Sequence, residues 1–202
     1  MILERLRISE GTGRAMTVSD GSTHPTTRVS AMMARVDFGD NTVYWGGRIR
    51  NTPNNYVAEA AGVLAQLQAT PIQADLKMIT DAKALYFMVA PVIEAHNKAC
   101  TFVRPEGTRI KMGARPLINA IDLVLNMRAQ LMRRGVPVGQ VSIVHQMSHT
   151  GDSSLEAEML AGVDWRANVA RGTTHVIQLN IYMQRSGCSL RCQPRMVNCT
   201  MY

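Results

Sequence analysis

The chain has 202 residues, 46% of them hydrophobic, and a formal net charge of +7. That length suits one domain plus a modest extension, and the apolar content is enough for one sizeable core. No apolar run approaches the ~18–20 residues that span a bilayer, so no membrane partner is expected. The positive balance favours polyanionic partners, because each Lys or Arg set on a phosphate releases a counterion.

Cys100 stands alone, and Cys188, Cys192 and Cys199 cluster near the C-terminus. This odd cluster argues against a disulfide framework and fits an intracellular, cytoplasmic or nuclear, setting. With His175 upstream it invites a zinc reading, but the spacing matches no standard finger or knuckle.

Residues 1–15 read as a leader without a signal-peptide core. Met16 to Ser19 predicts a short strand running into Asp20-Gly-Ser22, whose last two residues are turn-formers. Val29 to Phe38 and Thr42 to Ile49 predict two further strands, joined by the hairpin signal Gly39-Asp-Asn41. Helical spacing of Val57, Ala60, Ala61, Leu64 and Leu67 predicts a helix from Tyr56 to Gln68. Leu76 to Ile79 predicts a strand stopping at Thr80-Asp81, and Ala82 to Ala95 a helix that Pro91 would kink or cap.

The segment 96–115 is loop-like and basic, with His96, Lys98, Arg104, Arg109, Lys111 and Arg115. Pro116 to Arg134 is strongly amphipathic and stops at Gly135. Gln140 to Val144 predicts a fifth strand and Leu155 to Ala170 a last helix. Beyond residue 172 only Val176 to Tyr182 hints at a strand, so 172–202 is expected to be a poorly structured extension. The expected fold class is α/β: a five-stranded mixed sheet, three antiparallel strands then two parallel ones, flanked by helices.

Four acids stand at informative places on these elements: Asp20, Glu59, Asp81 and Asp164. Strand ends and helix starts meet at one edge of such a layer. Acids converging there repel one another unless cations neutralise them. Hard divalent cations prefer oxygen ligands, and two of them can drive an in-line displacement at phosphorus. Taken singly, each acid is as well explained as a turn residue or a solvated helix face; the ordered set of four is what points to a site.

Val18-Ser-Asp-Gly-Ser22, Asn54-Asn-Tyr-Val-Ala-Glu59-Ala-Ala-Gly-Val-Leu64 and Ile79-Thr-Asp-Ala82 resemble the three opening motifs of type 1 ribonuclease H. Val144-His-Gln-Met-Ser-His-Thr-Gly151 and Asp164-Trp-Arg-Ala-Asn168 resemble its closing loop and last helix. The resemblance covers residues 16–171 and is nearest to the ribonuclease H domains of retroelement reverse transcriptases. It implies a ribonuclease H-like fold and a metal-dependent endoribonuclease that cuts the RNA strand of RNA–DNA hybrids, leaving 5′-phosphate products. A larger reverse-transcriptase polyprotein is the implied parent.

By the same resemblance Asp20, Glu59, Asp81 and Asp164 hold two Mg²⁺ ions, or Mn²⁺. His149 assists proton transfer or product departure, a role that a group titrating near neutrality suits. Ser22, Asn54 and Asn55 contact the substrate, although Asn54 and Asn55 are equally read as turn-formers. The sequence departs from the pattern in having Ala82 where the family often has Ser, and in a long gap between His149 and Asp164. That gap leaves Glu158 as a competitor for the fourth acid, with Asp164 favoured because Asp-x-x-Ala-Asn is the better match. The alternatives are a catalytically inactive, nucleic-acid-binding or interaction domain on the same fold, or another nuclease class such as a junction resolvase or transposase.

Overall fold

A computed structural model describes residues 13–27, 29–38, 41–49, 54–147, 153–172 and 176–177. Strands β1 (Arg14–Thr23), β2 (Ser30–Phe38) and β3 (Asn41–Ile49) form an antiparallel meander. Helix α1 (Asn55–Ala69) then crosses over, and β4 (Asp75–Thr80) pairs parallel to the other side of β1. Helices α2 (Lys83–Asn97) and α3 (Arg115–Arg133) precede β5 (Val141–His145), which pairs parallel to β4. Helix α4 (Leu155–Arg171) and the two-residue β6 (Val176–Ile177) follow, and the sheet order is β5-β4-β1-β2-β3-β6.

The mixed α/β sheet is as expected, with one addition. The edge beyond β3 is extended by β6, in parallel register Arg48↔Val176 and Ile49↔Ile177. Among the described residues no helix is long and apolar enough to cross a membrane.

Strand alternation assigns the two faces. Ala15, Leu76, Met78 and Val141 point into a core shared with α1, α2 and α3. Val18 and Ile79, at the alternate positions, pack under Met159, Leu160 and Val163 of α4. Three helices therefore cover one face and α4 covers the other.

The contact between α1 and β1 is unusually close, and glycine makes it so. A Cβ at Gly62 would stand 2.6 Å from Ser19 Oγ and 2.7 Å from Ser19 Cβ. A Cβ at Gly21 would stand 2.5 Å from the backbone nitrogen of Glu59. One turn beyond Gly62, Gln66 Oε1 accepts a buried hydrogen bond from Thr17 Oγ1. So Ala58, Gly62 and Gln66 run down the helix against Gly21, Ser19 and Thr17 on the strand. Four helical residues rise ~6 Å and two strand residues ~6.6 Å, so the two rows stay in step.

This contact corrects the reading of Asp20-Gly-Ser22 as a strand end and turn. β1 continues in ladder to Thr23↔Ser30, with Gly21 opposite Met32. Gly21 serves close backbone approach, not a turn. The turn comes later, where His24 Nδ1 accepts from the N–H groups of Thr26 and Thr27 at 3.2 Å each. Pro91 lies inside α2, which nonetheless runs on to Asn97.

The segment after α2 is irregular, as expected, but not all of its cations face solvent. His96 is buried at the end of α2, and Arg104 forms a forked pair with Asp122 of α3 at 2.6 and 2.7 Å. Asn126 clamps the backbone of Phe102 with bonds of 2.8 and 3.0 Å. Arg109, Lys111 and Arg115 remain exposed.

Replacing Gly62 with Ala should destabilise the protein by about 1–3 kcal/mol through overpacking on Ser19. Urea unfolding checks this, and an unchanged midpoint would contradict the close α1–β1 contact.

Candidate active site

The parallel ladder between β1 and β4 runs from Arg14↔Asp75 to Val18↔Ile79. Carried two residues further, that register sets Asp20 opposite Asp81. Asp20 still lies inside β1, paired with Met33 of β2, and is 5% exposed. Asp81 follows the last residue of β4. Its carbonyl lies 3.1 Å from His145 Nε2 and accepts from the Lys83 N–H at 2.9 Å.

Glu59 arrives from above. Asn54 caps α1, its side chain accepting from Val57 N at 3.1 Å, and Glu59 falls just past the first helical turn. The bare backbone of Gly21 lets that turn settle directly on β1 beside Asp20. Carboxylate oxygens of Asp20, Glu59 and Asp81 lie within 4.8 Å of one another.

Asp164 joins from the opposite face. It follows Val163, whose side chain is buried against Val18, and its carboxyl is near enough to that of Asp20 to raise its pKa. Glu158 is exposed, six residues and ~9 Å of helix away. It sits in the first turn of α4 with Glu156, behind the Ser154 cap, where negative charge complements the helix dipole. The structure thus brings Asp164, and not Glu158, to Asp20.

The electrostatics are severe. Burial, and then the charges of Asp81, Asp164 and Glu59, push the Asp20 carboxyl up to about 8. Burial and then Asp81 push Glu59 up to about 8 as well, against a partial counter-effect from Lys111. Asp81 Oδ1 is buried with no hydrogen-bond partner among the described residues. An all-oxygen, charge-rich donor set with an orphaned buried oxygen fits a hard divalent cation.

The other sequence-predicted residues fall unevenly. Ser22 Oγ donates to Asn168 Oδ1 at 2.9 Å, on α4. Asn55 Nδ2 donates to Glu59 Oε1 at 2.6 Å, orienting that acid. Asn54 is engaged at both ends, as the cap and through Nδ2 to the Met112 carbonyl at 3.2 Å. His149, His175, Cys188, Cys192 and Cys199 lie outside the described residues. The motif that favours Asp164 includes Asn168 but assigns it no role of its own, although it stands one turn after that acid; Lys111, counted in the basic segment, sets its ammonium 4.8 Å from the Tyr56 ring centre. His145, from the end of β5, sets its ring against the backbone of Asp81.

A pH dependence follows with a definite sign. Carboxyls raised in the folded state bind protons that the unfolded chain has released, so metal-free stability falls as pH rises from about 4 to about 8. Asp20→Asn should then stabilise the metal-free protein at pH 8, on the order of 1–3 kcal/mol. Thermal unfolding in EDTA at pH 5 and pH 8 measures both effects; a stability that rose with pH would contradict the buried cluster.

No family model matches the sequence, and no curated protein matches it. Solved structures do. The solution structure of the PFV RNase H domain superposes with a TM-score of 0.57 at 17% identity, over 80% of this chain and 96% of that one. A foamy viral protease-reverse transcriptase in complex with dsDNA superposes with a TM-score of 0.51, also at 17% identity, over 80% and 95%. The resemblance carried by the motifs is matched in three dimensions: the chain has the ribonuclease H fold.

Proposed function

We propose that the protein is a metal-dependent endoribonuclease that hydrolyses the RNA strand of RNA–DNA hybrids. The observation that carries this reading is the meeting of Asp20, Glu59 and Asp81 within 4.8 Å, at the edge of a ribonuclease H fold. In this reading Asp20, Glu59, Asp81 and Asp164 hold two Mg²⁺ or Mn²⁺ ions. Bound there, the ions supply an activated water and stabilise the leaving oxygen of an in-line displacement at phosphorus.

The protein's own groups prepare that step. Asn55 holds one oxygen of Glu59 and so limits its rotation. His145 holds the backbone that carries Asp81. Arg109, Lys111 and Arg115 are exposed on a segment tied by the Met112 carbonyl to the cap of α1, and they take substrate phosphates. Ser22 and Asn55 lie close enough to the acids to meet the wide minor groove of a hybrid, whose 2′-hydroxyls distinguish RNA from DNA. His149 moves a proton or assists product departure.

The two foamy viral neighbours support a place in a retroelement reverse-transcriptase polyprotein, and the cysteine usage supports an intracellular setting.

Cleavage of a labelled RNA–DNA hybrid in Mg²⁺ tests the proposal. Asp81→Asn should lower the rate by about a thousandfold or more, equivalent to about 4 kcal/mol of transition-state stabilisation, while the protein stays folded. Asp164→Asn should be similarly damaging and Glu158→Gln close to neutral. Folded protein that binds hybrid without cutting it would favour an inactive domain. Cleavage of duplex or branched DNA with hybrids spared would favour another nuclease class.

A further inference from the structure

Resting on that reading of the acids, we propose that Asn168 is the positioning residue for Asp164, with Ser22 and Arg171 holding it in place. Asn168 lies one helical turn after Asp164. Its Nδ2 donates to Asp164 Oδ1 and to the Asp164 carbonyl, each at 2.9 Å. Its Oδ1 accepts from Ser22 Oγ at 2.9 Å and from Arg171 Nη2 at 2.6 Å.

The orientation of this amide is determined by chemistry. A guanidinium only donates, so the oxygen end must face Arg171 and the nitrogen end must face Asp164. A carboxylate at this position would have nothing to donate to Asp164, and an aliphatic group would leave it unheld. Asn168 is exposed, so its hydrogen bonds do not serve to satisfy a buried core.

The spacing explains why an amide serves at this position. Asp20 and Ser22 are two apart on β1 and face the same side of the sheet. Asp164 and Asn168 are four apart on α4. Those separations are ~6.6 Å on the strand and ~6 Å on the helix, so two cross-links form side by side. Asp20 meets Asp164, and Ser22 meets Asn168. The Asn168 amide, anchored to β1 through Ser22, fixes the direction in which the Asp164 carboxyl points.

The test is calorimetric titration of Mn²⁺ alone into the full chain, without nucleic acid. Asn168→Ala should weaken Mn²⁺ binding by about tenfold, as outer partners of metal ligands do. Asn168→Asp, which sets a second carboxylate against Asp164, should weaken it further or redirect it. On an Asp164→Asn background, Asn168→Ala should change nothing more. Unfolding in EDTA should be nearly unaffected by Asn168→Ala. Equal Mn²⁺ affinity in wild type and N168A, or the same loss on the D164N background, would overturn the positioning role alone. Wild-type protein that neither binds millimolar Mn²⁺ nor cuts hybrid would instead overturn the ribonuclease reading, and this inference with it.

Discussion

The near-contact of helix α1 with strand β1 is the constraint on which the acidic corner depends. Side chains on both elements normally hold a helix off the sheet that it covers. Here Gly21 and Gly62 remove the spacers, and Thr17 and Gln66 pin the far end of the same stripe. The helix is thereby seated low enough for Glu59 to reach Asp20. Were α1 raised by one methyl group, Glu59 would lift away from Asp20 and Asp81, and the three oxygens would no longer share one coordination volume.

That geometry is bought with electrostatic strain. Two carboxyls pushed up to about 8 by burial and then by Asp81 are ill suited to ionise without a counter-ion. A cation held there would serve the structure as well as the proposed chemistry, because the neighbouring positive charge of Lys111 relieves only part of the load. The exposed cations of the 96–115 segment are a separate matter. Arg109 and Arg115 are exposed and are suited to the long-range attraction of a polyanion. Arg104, read from sequence as one of them, is instead spent on Asp122.

The fold was largely legible because its elements carry strong patterns: period-two strands, an amphipathic α3, and a hairpin signal between β2 and β3. The acids were legible because each stood in a motif on a recognisable element. What escaped were features set by tertiary contact. Gly21 reads as a turn-former in one dimension, and only the approach of α1 shows why no side chain fits. Choosing between Asp164 and Glu158 required knowing which face of α4 meets β1. Asn54 reads as a substrate contact or a turn-former, and is found capping a helix while tethering a loop. The sequence hints at a strand from Val176, but not that it would lie parallel beside β3 and extend the sheet.

Among the described residues, helix α4 alone covers the second face of the sheet, and it carries Asp164. Domains made on the ribosome emerge N-terminus first. The meander, α1 and β4 can therefore assemble with Asp20, Glu59 and Asp81 in place while Val18 and Ile79 still lack their cover. Val163 and Asp164 are neighbours on α4, so one element both closes the second apolar layer and brings the fourth acid.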